Sequence, residues 1–446
     1  MTFEEVLEAI QNREYGKVRA ELAEWNEADV AQIIEEIDDP EQKVKVFRIL
    51  PKKIAAEAFA FLPIEVEQEI ITSLTDREAA NIINNLMADD ATDLMEEMPA
   101  SFVKKLLANA SPETRRDINH LLKYPDASAG SVMTVEFVDL NANLTVQQAI
   151  DRIRKIGIKK ETINDCYVLD NERHLIGTVS LRSIITNKSD DVIGDIMNDN
   201  VISVNTMTDQ EEVARQFSKY DFTAMPVVDN ETRLVGIITI DDVVDILTEE
   251  ATEDMEKMAA ILPTDKPYMK TGIFETFKKR IPWLLLLMIS ATVTGKIITH
   301  YEDALGTYVV LTSFIPMLMD TGGNAGGQAS VTIIRGLSLG EIEFPEIIKV
   351  VWKEIRVAVL CGITLAVCNF VKIMIIDRVA ISVALVVCLT LVLSVLFAKL
   401  VGCTLPMFAD KLGFDPAVMA SPFITTIVDA LSLMIYFKIA TMILRI

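Results

Sequence analysis

Apolar positions change their spacing three times along this chain. From residue 1 to 124 they recur at helical intervals, broken about every 12 residues at Leu50-Pro51, Leu62-Pro63, Leu74-Thr75, Met87-Ala88 and Met98-Pro99. Proline is tolerated in a first helical turn and breaks an interior, so each boundary starts a new short helix, as in Lys53–Phe61. The stack reads as an all-α helical repeat, a small superhelix. From 125 to 250 strand-like runs (Cys166–Leu169, Leu175–Ser180, Met225–Val228, Leu234–Thr239) alternate with helical runs. Residues 241–262 form one acidic amphipathic stretch, interrupted by Pro263 and Pro267, and Phe274–Arg280 reads as a connector helix ending in Lys278-Lys279-Arg280. Hydrophobic spans follow at roughly 281–299, 305–333, 355–376, 379–402 and 418–442, each near the ~20 residues a membrane helix needs.

The middle block repeats itself. Asp170–Ser180 matches Asp229–Thr239, and Met133 onward matches Met197 onward, giving two β-α-β units of about 60 residues. Such a repeat resembles a pair of CBS domains. That resemblance implies an adenine nucleotide bound at the Gly-x-Ile-Thr-x-x-Asp element, here Gly236, Thr239 and Asp242, with Ser180 and Arg182 as counterparts in the first copy. The first copy carries Ser183 where the Asp belongs. CBS pairs also serve as mechanical sensors with no nucleotide, and both readings stand at this point.

Charge divides the chain. Residues 1–265 carry 26 Lys and Arg against 53 Asp and Glu, whereas residues 266–446 carry 16 against 12. So acidic a front half repels nucleic acid and an anionic membrane face and attracts cations; a generic solubilising surface is the bland alternative. Five cysteines show no zinc or disulfide spacing, and three histidines pair with no nucleophile, so no enzyme is expected. The acidic start, Met1-Thr-Phe-Glu-Glu, is no signal peptide. Lys278, Lys279, Arg280, Arg335, Lys349, Lys353, Arg356, Lys399 and Lys411 flank one side of the spans, against Arg378 and Arg445 on the other. By the positive-inside rule the acidic half faces the cytoplasm, and an odd span number puts the C-terminus outside.

Two places in the apolar half carry chemistry. The stretch Pro316–Ser330 holds four glycines with Asp320, Asn324 and Gln328, fitting either the wall of an aqueous ion path or a tight helix seam. Asp320 reads as a pore acid or as a helix cap before Thr321. Asp429 sits near the centre of the last span, where a carboxylate costs about 2.5 kcal/mol or more. Thr425 lies one turn earlier on the same face. Together they suit a hydrated hard cation; a neutral or paired packing residue is the alternative. In the front half Asp89 and Asp93 share a helix face, as do Asp242 and Asp245, with Glu250, Glu253 and Asp254 beyond. These are solvated acidic faces or sites bridged by cations.

The order of these parts, with Pro-x-x-x-Asp-Thr-Gly-Gly-Asn-Ala-Gly-Gly-Gln and a last-span Asp, resembles the MgtE family of magnesium channels over essentially the whole chain. The resemblance implies an all-α domain over 1–124, tandem CBS domains over 125–250, a connector (plug) helix over 251–280 and a five-helix pore over 281–446. It implies a homodimeric, inner-membrane Mg²⁺-selective channel for uptake. Asp429 would contact hydrated Mg²⁺ beside a wall of Gly322, Gly323 and Asn324. It further implies closure by Mg²⁺ at Glu57, Asp89, Asp93, Asp209, Glu211, Asp221, Asp242, Asp245, Glu250, Glu253, Asp254 and Asp415, with ATP or another adenine nucleotide at the CBS pair. Ser421 stands where members carry Asn, and Asp242 fits both the metal and the ribose patterns. An ion-coupled divalent-cation antiporter or exporter and a non-transporting membrane receptor are the competing classes.

Overall fold

The structure, a computed structural model, describes residues 1–264, 268–269, 271–419 and 421–445, and for 303, 304 and 421 the backbone alone. Pro267 and the side chain of Ser421, both invoked above, lie outside the described residues. The chain forms two compact units, Met1–Ile246 and Leu247–Ile446.

The first unit begins with ten short helices, α1 (Phe3–Gln11) to α10 (Pro112–Leu121), among the described residues. From the fourth onward, the residues that cap them, Asp39, Pro51, Pro63, Thr75, Met87, Pro99 and Ser111, fall 12 apart. The cap chemistry alternates with little effect on the spacing. Asp39, Thr75 and Ser111 accept from first-turn N–H groups, whereas proline sets the entry at Pro51, Pro63 and Pro99. Each helix is too short to persist alone. One apolar face of each enters a continuous core through residues such as Phe47, Phe59, Ile70, Ile71 and Ile83.

Two three-stranded sheets follow, each with a parallel and an antiparallel pairing. In the first, β1 (Val138–Asn141) runs parallel to β2 (Asp165–Leu169), which pairs antiparallel with β3 (Leu175–Ser180). In the second, β4 (Val204–Asn205), β5 (Ala224–Val228) and β6 (Leu234–Thr239) repeat the plan. The repeats exchange their leading segments: Thr134 bridges Ile237 on β6, and Asn198 bridges Thr178 on β3. Hence Gly236 lies under Met133, where a Cβ would come 2.7 Å from the Thr134 carbonyl oxygen. A side chain there would push the exchanged segment off its sheet. Helices α11 (Val146–Ile156), α12 (Leu181–Thr186), α13 (Ile193–Ile196) and α14 (Gln210–Tyr220) join the strands, and helix α15 then runs unbroken over Ile240–Met258.

Among the described residues of the second unit, four helical stretches are long and apolar enough to cross a membrane: Ile273–His300, Phe344–Asp377, Ile381–Lys411 and Pro416–Leu444. They contain α16 (Ile273–His300), α19 (Ile347–Lys372), α20 (Ile381–Lys411) and α21 (Ser421–Leu444). Residues Phe274–Arg280, expected as a separate connector, are the first turns of α16. The span expected at 305–333 is broken instead into α17 (Glu302–Thr307), a 3₁₀ stretch and α18 (Ile315–Ser338). Pro316 explains the late start, since proline favours a first turn. The glycines and polar residues of α18 explain why it is less apolar than the other four. It is nonetheless closely packed on α20 and α21.

Candidate cation sites

Helix α18 has two faces of opposite character. Gly322 and Gly326 are buried against α21: a Cβ on Gly322 would meet Ser432 Oγ at 2.8 Å, and one on Gly326 would meet Ile424 at 2.9 Å. Across from them Gly402 of α20 abuts the Gly326 carbonyl. The glycines are therefore a close-packed seam, one of the two readings of this stretch. At i, i+4 and i+8 on another face, Asp320, Asn324 and Gln328 are exposed. Asp320 is the sixth residue of α18, so it caps nothing. Gly323, buried like Gly322, also packs on the last helix. Its Cβ position lies 3.0 Å from Thr425 Cγ2 and 4.0 Å from Asp429 Oδ1.

Asp429 is half-buried, and among the described residues it forms no ion pair. The charge of Asp320 reaches it. A cavity of about 500 Å³ beside α18 is lined by Asp320, Asn324, Gln328, Thr364 and Lys399. Lys399 corrects an expectation. The charge pattern puts it among the residues flanking the spans, yet it is 5 % exposed and its Nζ lies 3.4 Å from Glu354 Oε2. Its partner is 45 residues away in sequence, so no local pattern announces the pair.

The first unit gathers a second set of acids. Asp89 and Asp90 open α8 (Ala88–Glu96), facing Glu136, Glu161 and Asp242. Burial holds the Asp89 carboxyl well above the usual range, reinforced by Asp90 and Asp242. Asp90 is pushed up to about 7 by burial and then by Asp242 and Asp93. Glu161 rises to about 7 through burial and the charges of Asp241 and Asp242. Burial takes Asp242 to about 6 against the pull of its hydrogen bond with Thr239. Burial also raises Glu136, despite hydrogen bonds from Thr134 and the Ala88 N–H. Nearby Glu67, 7 % exposed on α6 (Ile64–Ser73), is driven to about 9 by burial and by Asp90 and Asp93. So many half-buried carboxyls with raised affinity for protons need a counter-charge. Asp89 Oδ1 is buried with no hydrogen-bond donor among the described residues. This orphaned oxygen fits a hard cation. Among the described residues no three such groups converge tightly enough to cage a bare ion.

A third acidic group surrounds Asp415, just before α21. Lys257 Nζ lies 2.6 Å from Asp415 Oδ2 and 2.5 Å from Glu253 Oε1. Burial and then Asp415 raise Asp254 to about 6, and Glu250 adds to the same field. The remaining expected ligands lie outside these two groups. Glu57 pairs with Lys53 at 3.6 Å. Asp209 caps the helix α14 (Gln210–Tyr220) by accepting from the Glu211 N–H, and Asp221 ends it in the left-handed conformation at φ 54°. Asp245 is exposed. Thr239 Oγ1 donates to Asp242 Oδ2 at 2.8 Å, while Ser180 and Ser183 form the neutral counterpart at 3.0 Å; Arg182 is exposed. Sequence reasoning missed Glu67, Asp90, Glu136 and Glu161, whose burial is tertiary.

Residues 315–439 match the divalent cation transporter family MgtE, 25–127 match the MgtE intracellular N domain, and 129–190 and 193–249 match CBS domains. The magnesium transporter MgtE of Thermus thermophilus is 36% identical over 448 residues, covering 98% of this chain and 97% of that protein. The chain belongs to the MgtE family. MgtE of Bacillus subtilis is 33% identical, covering 99% of this chain and 98% of its own. A crystal structure of the cytosolic domain of the Mg²⁺ channel MgtE in complex with ATP aligns at 35% identity with a TM-score of 0.52, over 55% of this chain and all of that one. The MgtE transporter match opens at the first residue of α18 and closes within α21, so it contains both Asp320 and Asp429.

Proposed function

We propose that this chain is a Mg²⁺ channel for uptake, working as a homodimer in the inner membrane, with Asp429 meeting the hydrated ion. One observation carries the reading. In a unit of membrane-length helices, Asp429 is half-open and, among the described residues, unpaired, beside an exposed Asp320–Asn324–Gln328 row. Lipid cannot satisfy such groups. A second subunit closing an aqueous path around them can. In this reading α18 is the fifth span, its low hydropathy following from its place at the path. An ion keeping its waters needs only oxygen acceptors from the wall, which Asp429 and the Thr425 hydroxyl supply. An inside-negative potential of ~100 mV drives a doubly charged ion inward by about 4.6 kcal/mol, so no coupling ion is required.

The acidic unit acts as the sensor, facing the cytoplasm. When internal Mg²⁺ is high, ions bridge Asp89, Asp90, Asp93, Glu136, Glu161 and Asp242, and others join Glu250, Glu253, Asp254 and Asp415; the channel closes. When it is low, like charges push these faces apart and the open state gains population. Thr239 and Asp242, with Ser180 and Arg182, would hold an adenine nucleotide, as an MgtE relative crystallised with ATP supports. Replacing Asp429 by Ala tests the pore reading: a strain dependent on added magnesium should stay dependent, and normal growth at correct expression would dismiss it.

A further inference from the structure

Beyond the ion path and the sensor, we infer that the junction of α15 and α16 is a binding site for the phosphodiester headgroup of a membrane phospholipid. A cavity of about 320 Å³ lies there, walled by Glu256 on α15, Thr264 and Tyr268 on the joining segment, and Thr276, Lys279 and Arg280 on α16. Three features match a phosphodiester with a donor-bearing headgroup. First, cations converge. Lys279 Nζ gives one hydrogen to the Pro263 carbonyl and keeps two, while Arg280 forms no ion pair among the described residues. Second, Gly272, which begins α16, has no side chain with which to cap the helix, leaving first-turn N–H groups suited to phosphate oxygens. Third, the Thr264 N–H holds Glu256 Oε2 at 2.8 Å. That bond aims the carboxylate into the cavity as an acceptor for an ethanolamine ammonium or a glycerol hydroxyl.

The surroundings favour a lipid over a soluble phosphate. Ile273, Phe274 and Phe277 are exposed beside the cations, and Tyr268 stands 73 % exposed at the rim. Aromatic rings and apolar side chains next to Lys and Arg are the composition of a membrane–water boundary. An acyl chain would lie on the apolar face while its phosphate enters the cavity. Phosphatidylcholine, whose headgroup has no donor for Glu256, should fit poorly. The site rests on α16 crossing the membrane. Failure of that premise would show as uniform labelling, by a water-borne thiol reagent, of cysteines introduced along α16, not as a lost lipid preference.

Native mass spectrometry of the full-length chain, delipidated and then titrated with defined lipids, tests the site. Phosphatidylglycerol and phosphatidylethanolamine should be retained about tenfold more tightly than phosphatidylcholine, the value of one charge-assisted hydrogen bond. Glu256→Gln, which leaves the headgroup donor without a charged acceptor, should erase most of this preference, whereas Arg280→Gln, which acts on the phosphate common to all three lipids, should loosen the hold on each of them. Lys278→Gln removes an equal charge from an exposed position outside the cavity and should preserve it. Equal retention of the three lipids by the parent, or equal losses from Arg280→Gln and Lys278→Gln, would overturn the site in favour of diffuse attraction. Displacement of bound lipid by millimolar inorganic phosphate would overturn the lipid assignment.

Discussion

Replacing Asp90 by Asn should make the acidic unit more stable without magnesium and less responsive to it. Asp90 is held at about 7 against an ordinary 3.8. Keeping it ionised at pH 8 therefore opposes folding by up to about 4 kcal/mol. The neutral amide removes that opposition but gives up about 0.5 kcal/mol of favourable interaction with the N-terminus of α8. Relaxation of the site lowers the ceiling further, leaving a net gain of about 2 kcal/mol. Hydrogen exchange of the α8 amides in the full-length protein reads this locally. In magnesium-free buffer at pH 8 the Asp90→Asn variant should exchange about 30-fold more slowly than the parent. Added Mg²⁺ should slow the parent strongly and the variant little. Equal or faster exchange in the variant, or equal protection of both by Mg²⁺, would refute the reading of this cluster as a repulsive cation site.

The same carboxyls fix a pH dependence. Raised acids favour the folded state below their unfolded value near 4, and this contribution is lost as pH climbs through about 6 for Asp242 and about 7 for Asp90 and Glu161. Thermal unfolding without Mg²⁺ should therefore show falling stability from about pH 4 to pH 8, flattened by millimolar Mg²⁺. Gly326→Leu should destabilise the α18 seam by about 1–3 kcal/mol or more, since a Cβ there already meets Ile424 and the Ala398 carbonyl at 3.2 Å; yield and melting temperature of the purified protein check it. Lys399→Met alone should cost about 3 kcal/mol by leaving the mostly covered Glu354 without its partner, whereas Lys399→Met with Glu354→Met should recover most of it; a double-mutant cycle on thermal stability decides.

What could be read from the sequence was whatever is periodic or local. The 12-residue rhythm of caps, the strand pairs around Gly177 and Gly236, and the last-span Asp429 are each visible within a few neighbouring residues. The misses were non-local. Lys399 looked like an interfacial flank because Glu354, its partner, is contributed by another helix. Asp90, Glu136 and Glu161 looked like ordinary surface acids because only the packing of α8 on the strand units buries them. Asp320 looked equally like a cap and a wall residue until the start of α18 at Ile315 put it a turn and a half inside. The exchange of leading segments between the repeats leaves only the matching methionines, Met133 and Met197, as a trace in sequence.

The most direct test is Mg²⁺ flux into liposomes carrying the purified full-length chain, comparing the parent with Asp429→Asn while internal Mg²⁺ is varied under a fixed inside-negative potential. The expected result is influx by the parent without a Na⁺ or proton gradient, fading as internal Mg²⁺ rises through the millimolar range, and no influx by the Asp429→Asn variant. Parent-like flux through that variant, or flux that vanishes whenever the Na⁺ or proton gradient is removed, would contradict the assignment of Asp429 to an uncoupled magnesium path.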